Sequence, residues 1–259
     1  MTLDVAISTC GRDGIKKVAK MLLPPQEGVR YVVSWQDHEG APLPETVTSR
    51  DDVTVSRLDV KGLSNNRNNS IRHCTSDIVL IADDDLVYDD DGFRRVLKAF
   101  IDDPDLDLAT FRVNFPHEKN YPAGGTRLGM PLPKGYYVTS MEIAFRRKRL
   151  EGLRFNPGMG LGAPRYHCGE EEIFLHDAIC RGFDCRHIGV TICSHPQPTT
   201  GTRISPGILM GHAYVIRRLY GFSTLPRLVV KARRVSRQFP GVSFTTALWH
   251  LLRGAAGKP

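Results

Sequence analysis

The sequence predicts an α/β fold with a mostly parallel central sheet flanked by helices, and two observations support this prediction. Short apolar strands alternate with helical or loop segments along the first 100 residues. Polar side chains follow several of these strands directly, as expected where a ligand lies beyond the carboxyl ends of parallel strands. With 259 residues and 41% hydrophobic content, the chain can form one sizeable domain or two closely packed halves.

The elements of the first half follow from apolar periodicity. Strands are predicted at residues 5–8, 31–34, 53–58 and 78–82, and helices at residues 15–22, 65–73 and 92–100. The polar residues at the strand ends are Ser8, Thr9 and Arg12 after the first strand, Asp37 after the second, and Asp83, Asp84 and Asp85 after the fourth. Because parallel strands end at one edge of the sheet, we expect a single cleft there, and the set suits a nucleotide.

Asp83, Asp84 and Asp85, here called the aspartate cluster, end a buried apolar run. Adjacent like charges repel one another and resist desolvation, so a divalent cation is the most economical explanation. Oxygen ligands indicate Mg²⁺ or Mn²⁺, which usually leaves positions for substrate phosphates and so favours a diphosphate-bearing substrate. The alternative is a solvated acidic turn, which is the interpretation for residues 89–91 at the start of the next helix.

The second half is less regular. A strand is predicted at residues 108–113, a long surface excursion that would shape a substrate site at 115–135, and another strand at 136–145. The glycine-rich stretch 155–165 lacks the spacing of a phosphate-binding loop. A helix is predicted to begin after Gly169 and to end at Gly182, followed by an edge strand at 183–194 and His195.

Glu170, Glu171 and Glu172, here called the glutamate cluster, occupy the first turn of that helix. Acidic residues there interact favourably with the helix dipole, which is a purely structural interpretation for at least two of them. A carboxylate held at a helix start beside a cleft is also a natural general base. His195 has two open interpretations, a structural residue or a metal ligand.

Cysteine usage and the N-terminus bear on location. The six cysteines form no C-x-x-C pair, so a zinc ribbon is disfavoured and free thiols in a reducing compartment are expected. The chain opens directly into a predicted strand, and no apolar run is long enough to span a bilayer. A cytoplasmic location is the expectation.

The last 59 residues differ in charge from the rest. Residues 201–259 contain ten Lys and Arg and no Asp or Glu, so residues 1–200 carry a net charge of −3 within a chain of net charge +7. Helices are predicted at 208–220, 225–239 and 242–252. Basic amphipathic helices commonly lie on anionic membranes, and packing on the domain with a solvated basic face is equally open. Contact with nucleic acid is disfavoured, because no known nucleic-acid module is present.

Taken in order, the motifs resemble family-2 glycosyltransferases of the GT-A fold over roughly residues 3–196. The motifs are residues 8–12 (Ser-Thr-Cys-Gly-Arg), 62–68 (Gly-Leu-Ser-Asn-Asn-Arg-Asn), 82–85 (Ala-Asp-Asp-Asp), 169–172 (Gly-Glu-Glu-Glu) and His195. The aspartate motif and the Gly-x-Ser-x-x-Arg-Asn stretch are the more specific parts. The implied organisation is a GT-A domain at 1–200, with a nucleotide-binding half at 1–100 and an acceptor half at 101–200, followed by a basic helical extension at 201–259.

The resemblance implies a metal-dependent inverting glycosyltransferase that moves a sugar from a nucleotide-diphosphate donor, most commonly UDP-linked, to a hydroxyl acceptor. A glycan or lipid-linked acceptor in surface polysaccharide or glycolipid assembly is expected, at the inner face of the membrane. Carried over by position, the nucleotide-binding residues are Ser8, Thr9, Arg12, Asp37, Arg67, Asp83 and Asp84. The metal ligands are Asp85, Asp83 and His195. Glu171 is the implied base and Glu170 the alternative, since the triple glutamate leaves the register open by one residue. Residues 197–205 are a candidate lid.

Other functions stay open at this point. A nucleotidyltransferase also pairs carboxylates with Mg²⁺, but its glycine-rich phosphate loop with a following lysine is absent near the first strand. A non-catalytic protein that binds nucleotide sugars would keep the fold without the base. A nucleic-acid-binding module built on the basic extension would show steep salt dependence.

Overall fold

The computed structural model describes residues 1–195 and 204–259, so most of the predicted lid at 197–205 lies outside the described residues. The strands are β1 (Leu3–Cys10), β2 (Val29–Gln36), β3 (Val53–Leu58), β4 (Ile78–Asp83), β5 (Val87–Tyr88), β6 (Leu108–Asn114), β7 (Thr126–Arg127), β8 (Ile143–Arg146) and β9 (Cys185–Ser194). The helices are α1 (Gly11–Met21), α2 (Glu45–Thr48), α3 (Leu63–His73), α4 (Gly92–Asp102), α5 (Glu170–Cys180), α6 (Pro206–Tyr220), α7 (Thr224–Gln238) and α8 (Phe244–Ala256).

One sheet contains all nine of the strands in the described ranges, in the order β3-β2-β1-β4-β8-β6-β9-β5, with β7 beside β9. The longer ladders, β1 with β2 and β4, β2 with β3, and β6 with β9, are parallel. Strand β8 runs antiparallel to β4 and β6, and the two-residue strands β5 and β7 run antiparallel to β9. The predicted α/β fold with helices around a central, mostly parallel sheet is therefore confirmed.

The core lies on both faces of the sheet, because side chains alternate along each strand. Val5 and Ile7 of β1 belong to a cluster that includes residues of α1 and α4. Ala6 belongs to a second cluster, which includes residues of α3 and α5. Burial on both faces explains why β4 is a nearly continuous apolar run and why β1 is buried along all but its last residue.

Three local predictions are wrong. The strand predicted at 136–145 is present only as β8, because a 3₁₀ turn at Ser140–Glu142, capped by Thr139 and Glu142, precedes it. The excursion at 115–135 is not confined to the surface, since the Lys119 side chain is 1% exposed. Strand β9 is not an edge strand, because β5 and β7 pair with it on the side away from β6.

The basic C-terminal segment forms helices α6, α7 and α8, which pack on one another through Leu209, Ala213, Leu228 and Leu251. Helix α6 also packs on the rest of the chain, where Val215 joins a cluster with Met159, Tyr166 and Ile173. Among the described residues, no helix combines the length and apolar character needed to cross a membrane.

Candidate active site

The aspartate cluster is divided among three partners. Asp83, the last residue of β4, accepts a hydrogen bond from Arg67 at 3.2 Å. Asp84 accepts one from the Thr9 hydroxyl at 2.6 Å. Asp85 lies 3.3 Å from Nε2 of His195. Because β1 and β4 are parallel neighbours with Ser8 opposite Asp83, the residues after both strands meet at one sheet edge.

These partners shift the carboxyl groups in opposite directions. Burial raises the pKa of Asp84 above its usual range, although the Thr9 hydroxyl and Lys17 oppose the shift. The hydrogen bond with His195 lowers the pKa of Asp85. The Asp85 side chain is 25% exposed, so this carboxylate is partly open to solvent.

Arg67 connects the two acidic clusters. Its side chain is 2% exposed on α3. One guanidinium nitrogen donates to Glu170 at 2.7 Å and to Glu171 at 3.2 Å. The other donates to Asp83 at 3.2 Å and to the Ser140 hydroxyl at 2.7 Å. Burial lowers the pKa of Arg67, but the surrounding carboxylates outweigh burial and raise it above its ordinary value, so the side chain stays charged.

A left-handed turn brings the glutamate cluster to Arg67, which also contacts the aspartate cluster. Gly169 has φ +90°, and a Cβ atom there would lie 2.4 Å from Val215 on α6, so only glycine fits before α5. Glu170 is 3% exposed and accepts its hydrogen bond from Arg67. A Cβ atom at Gly160 would lie 3.1 Å from the Glu170 carboxyl carbon. The Glu171 side chain is 18% exposed. Of these two glutamates, Glu171 is therefore the more open to a substrate.

Burial alters the acidity of two members of this cluster. Burial, reinforced by the charge of Glu170, raises the pKa of Glu171 to about 8. Burial, reinforced by the charge of Glu171, raises the pKa of Glu172 to about 7. A carboxylate with a pKa near neutrality is a stronger proton acceptor than an ordinary glutamate, which suits general base catalysis.

Helix α6 supports the loop that leads into the glutamate cluster. A Cβ atom at Gly211 would lie 2.6 Å from the Cys168 carbonyl oxygen, and one at Gly207 would lie 2.3 Å from the His167 ring. Cys168 also donates to the Ile208 carbonyl at 3.4 Å. The C-terminal helices are thus in direct contact with the segment that positions α5.

Ser140, Lys119 and Glu142 were not predicted as site residues. Glu142 forms a fully buried ion pair with Lys119, accepts from Tyr121 at 3.0 Å, and completes a capping box with Thr139. This network holds the 3₁₀ turn that presents Ser140 to Arg67. The Thr-x-x-Glu spacing at 139–142 is a capping-box signal that the sequence contains, whereas nothing in it indicates the contact of Ser140 with Arg67.

Three of the seven predicted nucleotide-binding residues, Arg67, Asp83 and Asp84, belong to the contacts described above, and the other four form two groups. Ser8 and Thr9 are buried beside the aspartate cluster, and the Ser8 hydroxyl has no hydrogen-bond partner in the described part of the chain. Asp37 and Arg12 lie at an exposed rim, where Asp37 pairs with Lys61 at 3.0 Å and Arg12 with Glu39 at 3.5 Å. Lys61 lowers the pKa of Asp37 mainly through their hydrogen bond.

The donor atoms suit a metal held by few protein ligands. Within residues 1–195 and 204–259, no three His, Cys, Asp or Glu side chains converge as a ready-made metal site. Asp85 and His195 offer one oxygen and one nitrogen 3.3 Å apart. Mg²⁺ and Mn²⁺ sites in nucleotide-binding proteins often have only one or two protein ligands, with substrate phosphates completing the shell. The residues present therefore fit such an ion in company with a diphosphate.

Comparisons with known proteins agree with this geometry. The family model described as glycosyl transferase family 2 matches residues 12–159, more than half of the chain. Comparison with curated proteins gives no match. Residues 1–349 of S. aureus TarS superpose with a TM-score of 0.63 at 15% identity, covering 99% of this chain and 81% of that one.

Two further solved structures contain ligands. The complex of TarS 1–349 with UDP-GlcNAc has a TM-score of 0.60 at 16% identity, covering 95% of this chain and 74% of that one. A mannosyltransferase from Pyrobaculum calidifontis, PcManGT, in complex with GDP-Man and Mn²⁺, has a TM-score of 0.55 at 14% identity, covering 99% and 76%. At these identities the likeness shows a shared fold, the GT-A fold expected from the sequence.

Proposed function

Because the chain belongs to glycosyl transferase family 2, we propose that it transfers a sugar from a nucleotide-diphosphate donor to a hydroxyl acceptor with inversion at the anomeric carbon. One observation carries the proposal. Buried Arg67 donates hydrogen bonds both to Asp83 at the strand end and to Glu171 at the helix start, so the proposed donor-side carboxylate and the proposed base share one guanidinium. Structural neighbours that bind UDP-GlcNAc and GDP-Man support a nucleotide-sugar donor.

In the proposed reaction, the acceptor hydroxyl oxygen forms a bond to the anomeric carbon as the bond from that carbon to the diphosphate oxygen breaks. The leaving diphosphate takes the electron pair, and the hydroxyl proton passes to the Glu171 carboxylate. The raised pKa of Glu171, about 8, makes it a stronger proton acceptor than a glutamate of ordinary pKa. Glu170 serves instead as a buried counter-ion of Arg67.

The donor side has its own set of residues. Ser8 and Thr9 would line the nucleoside pocket, with Arg12 and Asp37 at its rim. Asp85 and His195 would hold Mn²⁺ or Mg²⁺, whose charge stabilises the departing diphosphate. The resemblance also implies Asp83 as a metal ligand. Because Asp83 accepts hydrogen bonds from Arg67 and Ser140, its proposed role is instead to fix the position of the aspartate cluster. A UDP-linked donor is the first expectation.

The proposed acceptor is a glycan or lipid-linked hydroxyl in surface polysaccharide or glycolipid assembly. The concentration of positive charge in residues 201–259 supports a place of action beside an anionic membrane at its cytoplasmic face. The contact of α6 with the His167 and Cys168 backbone means that such a location would also bring the glutamate cluster near the acceptor.

The donor site is tested by isothermal titration with UDP, GDP, CDP and ADP, each with and without Mn²⁺. One nucleotide is expected to bind in a metal-dependent way, and Asp85→Ala should remove that binding. Asp90→Ala, which changes an exposed aspartate of the neighbouring turn, is the matched control and should bind like the parent protein. Failure of every nucleotide to bind would refute the donor site. Release of a nucleoside diphosphate during turnover, rather than inorganic diphosphate, separates glycosyl transfer from nucleotidyl transfer.

A further inference from the structure

Exposed apolar side chains are concentrated in the C-terminal helices. Twelve large hydrophobic side chains are exposed in the described ranges, and five of them lie within 31 residues: Phe222, Leu225, Val230, Trp249 and Leu252. The other seven are scattered over residues 1–195. Single exposed hydrophobic residues are ordinary, whereas a concentration of them marks an interaction surface.

Helix α8 presents an apolar stripe to solvent. Trp249 and Leu252 are 52% and 42% exposed, and with Thr245 and Ala256 they follow the spacing of one helical face. The opposite face is buried against the neighbouring helices through Ala247, Leu251 and Gly254. The Arg253 guanidinium lies 4.5 Å from the centre of the Trp249 ring. The stripe therefore combines an aromatic, an aliphatic and a cationic side chain.

Helix α7 presents positive charge. Its inner face buries Leu228, Ala232 and Val235. Its outer face exposes Arg233, Arg234 and Arg237 around Val230. In the described part of the chain none of these arginines forms an ion pair, and residues 201–259 contain no acidic residue to provide one. Phe222, which is fully exposed, lies at the junction of α6 and α7.

We propose that the outer faces of α7 and α8, together with Phe222, form a docking surface for an anionic lipid bilayer. The uncompensated arginines would be drawn to lipid phosphates, and the Trp249, Leu252 and Phe222 side chains would enter the boundary between headgroups and acyl chains. This inference does not depend on the proposed reaction, because it uses no residue of the two acidic clusters or of the proposed donor site.

Charge and apolar area together select this occupant. A nucleic acid would neutralise the arginines but leave Leu252 and Val230 in water. A second copy of the chain, docked through the same surface, would bring like charges together with no acidic residue in 201–259 to offset them. An anionic bilayer satisfies both the charge and the apolar side chains.

The test is sedimentation of the full chain with phosphatidylcholine vesicles and with mixed phosphatidylcholine and phosphatidylglycerol vesicles. Binding is expected only to the anionic vesicles and should weaken as salt rises. Arg233→Gln combined with Arg237→Gln should reduce partitioning by on the order of tenfold or more. Trp249→Ser combined with Leu252→Ser should cause a similar loss that persists at high salt, because it removes apolar contact.

Matched controls come from α4, on another surface. Ile101→Ser removes a side chain of similar exposure, 58%, and Arg94→Gln with Lys98→Gln removes two exposed charges. Both controls should bind vesicles like the parent protein. Absence of binding to anionic vesicles, or equal losses in the controls, would overturn the proposal. Salt-sensitive RNA binding without vesicle binding would assign the arginines to nucleic acid. Trp249-dependent dimerisation without vesicle binding would assign the surface to a second copy of the chain. Either result would overturn the proposal of a lipid-docking surface.

Nucleotide titration of the same variants keeps the two proposals separate. Each docking variant should retain the donor affinity of the parent protein, since none of the substituted residues belongs to the proposed donor site. A docking surface that fails while donor binding persists refutes the lipid inference and the membrane location proposed with it, and leaves the proposed sugar transfer standing. Failure of donor binding in the parent protein refutes only the proposed function.

Discussion

The two acidic clusters have the same formal charge but different partners. The three aspartates have three different principal partners, Arg67, Thr9 and His195. Two of the three glutamates share one partner, Arg67, and crowd one helix start. Within the aspartate cluster the pKa of Asp85 is lowered and that of Asp84 is raised, whereas in the glutamate cluster the pKa values of Glu171 and Glu172 are both raised. A run of three carboxylates therefore does not define a role, because burial and partners decide which member stays ionised and which accepts a proton.

Removing the shared partner should have the largest effect. Arg67→Met leaves Asp83, Glu170 and Glu171 without their buried counter-ion, and we expect a loss of about 3–5 kcal/mol in the free energy of unfolding. Arg94→Met, which removes a 78% exposed arginine side chain of α4, is the control and should change it by less than about 0.5 kcal/mol. Urea denaturation measures both. A stable Arg67→Met protein with full activity would show that the clusters are independent.

The two glutamates that contact Arg67 should separate chemistry from stability. Glu171→Gln is expected to reduce turnover by on the order of 10²- to 10⁴-fold, because the base is lost, and to leave donor binding nearly unchanged. Glu170→Gln should instead lower the free energy of unfolding by about 1–3 kcal/mol, since a buried charge-assisted hydrogen bond to Arg67 weakens. Donor titration, turnover and urea denaturation distinguish them. A larger turnover loss in a well-folded Glu170→Gln protein would reassign the base to Glu170.

The raised pKa of Glu171 predicts a pH dependence of stability. The folded pKa is about 8 and the ordinary value is 4.5, so between these values the folded state holds a proton that the unfolded state has lost. Stability should therefore fall as pH rises from 4.5 to about 8. Glu171→Gln removes this contribution. The free energy of unfolding of the variant minus that of the parent protein should therefore be larger at pH above 8 than at pH 4. Exposed Glu151→Gln is the surface control, and a Glu171→Gln difference no more dependent on pH than that of the control would contradict the raised pKa of Glu171.

Ser140→Ala should have the smallest effect. The hydroxyl is one of four partners of Arg67, and its loss is expected to lower the free energy of unfolding by about 1 kcal/mol. Turnover should change only modestly, since both acidic clusters keep their contacts with Arg67. Thr139→Ala, which breaks the capping box but keeps the hydroxyl of Ser140, is the informative comparison. A loss of turnover as large as that of Glu171→Gln would place Ser140 in contact with the substrate.

Much of the site could be predicted from sequence because its parts lie at ends of regular elements. The apolar run before Asp83 predicts a buried strand, and Gly169 followed by three glutamates predicts a helix start; both are present. The three C-terminal helices were also predicted from their periodicity and are present. The strand at 136–145 was predicted too long, because an apolar run does not show that residues 140–142 turn before the strand begins.

Local patterns determined which segments are strands and helices and where the carboxylates cluster, since periodicity and capping act over a few residues. The tertiary structure alone decided that Arg67 contacts Glu170, 103 residues further along the chain, while also contacting Asp83. It brought Ser140 to the same guanidinium, and it left Glu171 more exposed than Glu170. It also decided that β9 lies inside the sheet and that α6 packs against the segment leading into α5. These features depend on which distant surfaces pack together, and on how much water that packing excludes from each charge, which no short stretch of sequence specifies.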